Sequence, residues 1–414
     1  MKRAAILIAL CACSEQGIDG PDAAVVAFAD AAVVTASDAA PSPSPDAAAV
    51  LPDARVVVQR PRCRTTTIAS PPLVPQPGEL FLAHIGLGGL SLGEATLAQL
   101  PDGRRLLIDI GNDAHADEVL GAIDALLGRR DIDLVVLTHH HADHEDALDK
   151  LLPDLTIGTL IHRGLSDLTP AANDANMAEI CAARGQFQEI ELCGNGDTRC
   201  VPDAWSRTAT ACPAIPYTSG ALTLLAANGI AHGAAFRPLE ADDSNGENAR
   251  SVVGLLRHGD FRYVFAGDLT GGGSDTDAVE SFYVRTLGAE LPPADVLHLS
   301  HHARDTSSSM AWLDHLLPAD GRPRSAVTGI STAHVGSPHA SVVGAVLDHL
   351  AGGGLFLSRV APGGTSTGVV DAAGGTVRIL TTNGGASYRV QAVSAAGAVI
   401  ATRETTSGAA CEVR

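Results

Sequence analysis

The chain has 414 residues, of which 45% are hydrophobic and 3% aromatic, and its formal net charge is −19. This length suffices for more than one domain, with a core built mainly from Ala, Val, Leu and Ile. Because an acidic protein repels nucleic-acid phosphate at long range, we expect no general nucleic-acid binding.

The N-terminus is typical of an exported bacterial protein. A basic start precedes an apolar stretch at residues 4–12, which is too short to span a bilayer but suits a signal peptide over residues 1–12. Residues 10–13 resemble a lipobox, which implies lipidation of Cys13 and anchoring in the cell envelope, at the outer membrane or cell surface. A plain secretory signal is the alternative. Residues 13–62, rich in Ala, Pro and Asp, predict a disordered tether.

The six cysteines beyond the N-terminal pair predict three disulfides, since an oxidising compartment favours them. We pair Cys63 with Cys411, although six cysteines allow 15 connectivities. The other four are expected to pair among themselves around a cysteine-rich insert at about residues 176–219, and they are Cys181, Cys193, Cys200 and Cys212.

The first predicted elements of the folded part are strands. Residues 79–85 form an apolar run, and residues 95–111 predict a hairpin that turns at residues 101–103 and ends near Asp109. Apolar residues then recur at helical spacing over residues 119–127. The apolar run at residues 134–137 predicts a buried strand.

Residues 138–144, directly after that strand, carry four histidines and one aspartate. His139 and His141 are two positions apart, so they point the same way if the strand geometry persists, while His140 points away. Asp143 and His144 follow as the chain turns into a short helix. Imidazole and carboxylate together suit Zn, Mn or Fe, and the carboxyl ends of strands are where α/β sheets form their sites.

Two later strands end in residues of the same kind. A predicted hairpin over residues 251–266 leads to Asp268, and a strand over residues 294–300 runs into His301 and His302. The remaining predicted elements are strands at residues 157–161, 221–225 and 325–330, helices at residues 169–185, 310–317 and 340–350, and C-terminal β-hairpins. A two-sheet sandwich that brings these strand ends together would assemble a binuclear metal site.

These motifs resemble those of the metallo-β-lactamase superfamily. The main motif is His139-x-His141-x-Asp143-His144, residues 108–111 are similar to the preceding acid motif, and Asp268 to the bridging carboxylate. Residues 248–251, 265–268, 294–297 and 301–309 are most similar to the branch of ComEC-type competence proteins and phosphorylcholine esterases. The resemblance implies an α/β fold, an αββα sandwich of two mixed sheets flanked by helices, over residues 63–370. A small C-terminal β extension, residues 371–414, follows it.

The resemblance also implies two metal ions, with zinc expected and Mn or Fe as alternatives. The implied ligands are His139, His141, Asp143, His144, Asp268 and His302. Of these, His139 and His141 are assigned to one metal ion, and Asp268 is assigned as the ligand that bridges the two ions. Asp143 and His301 are the implied catalytic residues, and the roles of His301 and His302 could be exchanged.

Several further residues have candidate roles near the site. Asp109 is expected to orient a ligand, and Arg304 and His298 could supply positive charge. His84 stands where the branch usually has an acid, and the middle histidine of the superfamily has no counterpart by spacing. The remaining candidates are His162, His232 and His339.

The branch implies hydrolysis of a phosphodiester or related ester, in a small molecule or a polymer, with the membrane contacted only through the N-terminal lipid. Lactam, lactone or thioester hydrolysis is the alternative within the superfamily. A catalytically degenerate binding module on the cell envelope is the alternative from another class. The sequence does not specify an oligomeric state.

Overall fold

The computed structural model describes residues 62–89, 91–164, 172–193, 211–236, 244–273, 276–329, 336–359, 368–408 and 411–413. The predicted signal peptide, Cys13 and nearly all of the tether lie outside these residues and stay predictions. No helix in the described part of the chain has the length and apolar character needed to cross a membrane.

A ten-stranded mixed sheet forms the first inner layer. Its strands, in their order across the sheet, are β1 (Thr65–Thr67), β20 (Val399–Thr406), β19 (Ser387–Val393), β18 (Thr376–Thr382), β2 (Phe81–His84), β3 (Thr96–Gln99), β4 (Arg105–Ile108), β5 (Asp131–Leu137), β6 (Thr156–His162) and β7 (Gln188–Glu191). Strands β4 to β7 pair in parallel, and the other neighbours are antiparallel.

An eight-stranded sheet forms the second inner layer. Its strands, in order, are β17 (Val369–Asp371), β16 (Gly354–Leu357), β15 (Ser325–Thr328), β14 (Val296–His298), β13 (Phe261–Phe265), β12 (Val253–His258), β9 (Leu222–Ala226) and β8 (Tyr217–Ser219). Strands β13 to β17 are parallel. A separate two-stranded ribbon is made by β10 (Ile230–Ala231) and β11 (Ala234–Ala235).

The helices cover the outer faces of the sheets. They are α1 (Ala116–Leu127), α2 (Ala142–Glu145), α3 (Leu148–Leu151), α4 (Ala172–Ala183), α5 (Ser244–Asn248), α6 (Val279–Leu287), α7 (Met310–Leu316) and α8 (Ala340–His349), with 3-10 turns at Asp113–His115, Gly288–Glu290 and His301–Ala303.

Three buried apolar clusters separate the layers. One packs α1, α3 and α4 on the first sheet, as Ile123 does against Val135. Another fills the space between the two sheets, and the third, which includes the buried Trp312, packs α6, α7 and α8 on the second sheet. The order helix, sheet, sheet, helix confirms the predicted αββα sandwich.

Several elements were missed by the sequence patterns, among them β7, β8, α5, α6 and β16, and one was simplified. Helix α6 is rich in β-branched and aromatic residues, which favour strands. Strand β16 is short and starts at a glycine. The predicted helix after His144 is divided into α2 and α3.

The predicted C-terminal hairpins are present and extend the first sheet, because β18 pairs antiparallel with β2. Cys63 and Cys411 are disulfide-bonded across 348 positions, which confirms that pairing. Cys193 is bonded to Cys212, and Cys181 is also disulfide-bonded. Cys200 and much of the cysteine-rich insert lie outside the described residues.

Candidate metal centre

The carboxyl ends of four strands meet at one edge of the sandwich. Asp109 follows β4, His139 follows β5, Asp268 follows β13 and His301 follows β14. At Gly267 the backbone has φ +49°, and a Cβ there would collide with the side chain of Thr138. The glycine therefore lets the Asp268 strand end approach the histidine-rich loop.

The first candidate ligand group joins His139, His141 and Asp268. One ligand atom from each lies within 4.8 Å of the others. His139 Nε2 is 3.0 Å from His141 Nδ1 and 3.8 Å from Asp268 Oδ2. Both histidines thus face the same carboxylate, as the alternation along the strand predicts.

The second candidate group joins Glu94, His144, Asp268 and His302, also with ligand atoms within 4.8 Å of one another. His144 Nε2 is 3.3 Å from Asp268 Oδ1, and His302 Nε2 is 3.6 Å from Asp268 Oδ2. Asp143 Oδ2 borders this group, 3.4 Å from His302 Nε2. Asp268 is common to both groups, which is the position of a bridging ligand.

A left-handed turn aims His301 and His302 at Asp268. His301, His302 and Ala303 have φ values of 51°, 51° and 59°, an uncommon conformation for residues other than glycine. His302 is enclosed in the second ligand group, whereas His301 belongs to neither group. His301 Nδ1 lies 2.5 Å from Thr306 Oγ1, and its Nε2 lies 3.7 Å from Asp268 Oδ2. This arrangement supports ligation by His302 and leaves His301 lining the site.

Asp109 orients the His144 ring by contacting Nδ1, the nitrogen that faces away from the ligand cluster. Its Oδ2 accepts a hydrogen bond from His144 Nδ1 at 2.8 Å, and its Oδ1 accepts one from the Thr138 amide at 2.7 Å. Burial raises the pKa of Asp109, although His144 opposes that rise. A carboxylate on Nδ1 leaves Nε2 directed at the ligand cluster, which is how proteins hold metal-binding histidines.

The buried acids and bases of the cluster shift one another's pKa values. Burial would raise the pKa of Asp268, but His144, His302 and His301 hold it well below its usual range. Burial would lower the pKa of His302, but Asp268, Asp143 and Glu94 raise it to about 10. Burial and His144 lower the pKa of His139. The buried carboxylates of the cluster therefore require positive charge nearby.

The residues present fit a bound transition metal. His144 Nε2 and Asp268 Oδ1 are buried and make no hydrogen bond within the described part of the chain, although they face one another across the cluster. Imidazole nitrogens and carboxylate oxygens are the donors that Zn, Mn and Fe accept. A metal ion at this point would satisfy atoms that otherwise carry a desolvation cost.

His140 points away from the cluster, into a fully buried polar network. Its Nδ1 pairs with Glu145, and its Nε2 is 3.1 Å from the carbonyl of Gly164. Its amide donates to Glu247 Oε1 at 2.7 Å, and the same carboxylate forms a bidentate pair with Arg163. The network holds the backbone of the histidine-rich loop from outside the ligand cluster.

The other candidate residues take different places. Arg304 is half-buried, and its amide donates to the carbonyl of His301 at 2.9 Å. His339 is exposed and bonded to Ser341, its amide donates to the carbonyl of Ala303, and its side chain belongs to neither ligand group. His162 and His232 face Glu189 and Glu290 at 3.1 Å each, so neither supplies the middle histidine.

Glu94 and the Arg163–Glu247 pair are the buried residues that sequence reasoning missed. Glu94 Oε1 pairs with Nε2 of His298, and its Oε2 is 3.0 Å from His302 Nδ1. His298 thus contacts an acid of the second candidate group and belongs to neither of the two groups that share Asp268. The one sequence signal for Glu94 is an isolated acid between a glycine-rich stretch and a predicted strand, which does not specify a partner.

A buried glutamate holds the loop that follows His302. Glu280 accepts hydrogen bonds from the amides of Ser308 and Ser309, each at 2.7 Å. Burial raises the pKa of Glu280 from 4.5 to about 7. A carboxyl whose folded-state pKa is raised contributes stability below its unfolded pKa and loses it as pH rises through the folded value.

We therefore expect stability to fall between about pH 4.5 and 7, by roughly 3 kcal/mol at most, since one pKa unit corresponds to about 1.4 kcal/mol. Glu280→Gln should remove this contribution. Denaturant unfolding of both proteins at pH 5 to 8, with chelator present, measures the difference. Equal pH dependence in the two proteins would contradict the assignment.

Residues 88–166, which contain Glu94, Asp109 and the histidine-rich loop, match the family model of the Metallo-beta-lactamase superfamily. No curated protein sequence matches the chain.

Solved structures similar to this chain include three enzymes. A diphosphatase from the PhnP family is 14% identical over 73% of this chain and 98% of that one, with a TM-score of 0.35. A metallo-beta-lactamase HARLDQ motif mutant from Cronobacter sakazakii is 18% identical over 55% and 79%, with a TM-score of 0.28. The long form of RNase Z from yeast is 12% identical over 62% and 38%, with a TM-score of 0.33. Residues 88–166 are thus similar to the metallo-β-lactamase superfamily, and the αββα sandwich is consistent with the fold of that superfamily.

Proposed function

We propose that this chain is a metal-dependent hydrolase that cleaves a phosphodiester or a related ester. The observation that carries the proposal is the pair of ligand groups that share Asp268 at the joined ends of four strands. When bound there, two divalent ions supply Lewis-acid stabilisation of the reacting ester and lower the pKa of water. Zinc is the metal we expect, with Mn or Fe as alternatives.

The chain's own residues bind the metal ions and hold the ligands in position. Asp268, His139, His141, His144 and His302 bind the metals, and Asp143 lies beside His302 where it can complete the second group. Asp109 fixes the ring of His144. These residues are held rigidly, since the histidines of the second group are almost fully buried.

His301 is placed to contact the substrate. Its Nδ1 is engaged by the Thr306 hydroxyl, so its Nε2 faces the ligand cluster near Asn248, at 3.4 Å from Asn248 Nδ2. The Asn248 amide donates to Nε2, and burial lowers the pKa of His301 to about 4, so the neutral ring presents an acceptor nitrogen to the site. Arg304, two residues after His302, brings a positive charge to the same loop.

Metal analysis and a substrate panel test the proposal. We expect two divalent ions per chain and turnover of a bis(nitrophenyl) phosphate or a nitrophenyl phosphorylcholine, with no turnover of a chromogenic lactam or a thioester. His301→Ala should lower kcat about 100-fold with metal content unchanged, because a polar ring nitrogen that can exchange a proton at the reacting ester is lost.

His339→Ala is the matched control, since it removes an exposed histidine outside the ligand groups. A metal-free protein, or a metal-loaded one inactive on the whole panel, would favour a degenerate binding module. Lactam or thioester turnover without phosphodiester turnover would show that the chain is a lactam or thioester hydrolase and not a phosphodiesterase.

A further inference from the structure

Glu94 lies in the gap between the two sheets and contacts both metal-binding segments. It is 2% exposed and stands two residues before β3 of the first sheet. Its Oε2 is 3.0 Å from His302 Nδ1, and His302 follows β14 of the second sheet. Its amide donates to the carbonyl of Asp143 at 2.9 Å. One residue thus connects the ligand segments that the two sheets contribute separately.

The contact with Nδ1 determines which nitrogen of His302 faces the cluster. Nδ1 donates to the carbonyl of Gly329 at 3.2 Å, and the Glu94 carboxylate forms an ion pair with the same nitrogen at 3.0 Å. A histidine that donates through Nδ1 presents the lone pair of Nε2 to a metal. His302 Nε2 is the atom that lies 3.6 Å from Asp268 Oδ2.

A second buried layer braces Glu94 in this position. Its Oε1 pairs with Nε2 of His298, whose ring stacks on His84 at 5.2 Å and 12°. His84 is itself fixed at both nitrogens, by Thr96 Oγ1 at 2.9 Å and Tyr263 OH at 3.1 Å. Ligand atoms of His84, Glu94 and His298 also lie within 4.8 Å of one another, but both ring nitrogens of His84 already have partners, so we assign this layer a supporting role.

The backbone leaves space for the Glu94 side chain at one glycine. A Cβ on Gly329 would stand 3.2 Å from Glu94 Oε1 and 3.3 Å from its Cγ, closer than most real Cβ contacts. An alanine at 329 would therefore displace the carboxylate by a few tenths of an ångström. The same position supplies the carbonyl that His302 Nδ1 approaches.

We infer that Glu94 is the positioning residue of the second metal group, fixing His302 by its carboxylate and the Asp143 segment by its amide. This inference rests on the proposed metal binding. Removing such a supporting carboxylate costs about 10- to 100-fold in metal affinity. The loss should be confined to the group that contains His302, because His139 and His141 do not contact Glu94.

The test is titration of the metal-free protein with Co²⁺, followed by visible absorption and by competition with a chelator. Wild type should bind two ions. Glu94→Gln keeps the size of the side chain but removes its charge, and it should bind one ion with wild-type affinity and the other about 10- to 100-fold more weakly, with a changed absorption band. Glu94→Asp, which keeps the charge, should recover part of the loss.

Asp314→Asn is the matched control, because it removes the acid 3.1 Å from His349 in the outer helical layer. It should leave both Co²⁺ sites unchanged. Gly329→Ala offers a second route if Glu94→Gln fails to fold, since it displaces the carboxylate without changing its charge and should weaken the same site.

Two wild-type affinities in Glu94→Gln, or equal weakening of both sites, would overturn the inference. A wild-type protein that binds two Co²⁺ ions but hydrolyses nothing would refute the proposed hydrolase function. The Co²⁺ affinities of the Glu94 variants would still test the positioning role. A wild-type protein that binds no Co²⁺ would refute both.

Discussion

Asp268→Asn should abolish binding of both metal ions and reduce phosphodiester hydrolysis by about 1,000-fold or more, equivalent to about 4 kcal/mol in the barrier. The reason is that Asp268 is the one residue common to both candidate ligand groups. Its carboxylate is also the negative charge that His144, His301 and His302 face within 4 Å. Metal content by mass spectrometry and turnover of a chromogenic phosphodiester measure the two effects.

Asp295→Asn is the matched control, because Asp295 is a buried aspartate that precedes β14 and accepts the amide of Arg262. It should keep both metal ions. His140→Ala should also keep them, because His140 faces Glu145 and Gly164, although the loss of a buried partner will lower stability. Retention of two ions by Asp268→Asn, or metal loss in His140→Ala equal to that in His141→Ala, would refute the ligand assignment.

Arg163→Ala should lower the free energy of unfolding by about 3–5 kcal/mol, because it leaves a buried carboxylate without its partner. Arg163 and Glu247 have no exposed side-chain surface and are joined at 2.6 Å. The destabilisation should extend to the metal site, since Glu247 also accepts the amide of His140. Denaturant unfolding with and without metal measures both effects.

Two variants separate charge burial from a general effect of arginine loss. Arg389→Ala breaks an ion pair whose side chains are one-third exposed, and should cost far less. Arg163→Met combined with Glu247→Gln removes both charges and should recover much of the stability. A loss in Arg163→Ala no larger than that in Arg389→Ala would show that the buried pair contributes little.

The sandwich and most of its ligand cluster could be predicted because their signals are local. Apolar strands end directly in His139, Asp268 and His301, and period-two alternation separates His139 and His141 from His140. The even number of cysteines predicted disulfides, and the structure contains the Cys63–Cys411 bond that we expected.

The supporting residues could not be predicted, because their partners are distant in sequence and carry no common spacing. Glu94 meets His298 across 204 positions, and Arg163 meets Glu247 across 84. The same limitation applied to His162 and His232, which were candidates only as histidines in the right part of the chain. Their acidic partners, Glu189 and Glu290, give them other roles.

The pairing of β18 with β2 has a consequence for how the chain acquires its structure. Val377 pairs with His84, so β2 lacks this neighbour until β18, far later in the sequence, is synthesised. Until then β2 presents an unpaired edge, which is a template for intermolecular association. Pairing between such distant segments also slows folding. Nascent chains in which β18 is not yet synthesised should therefore be prone to aggregate.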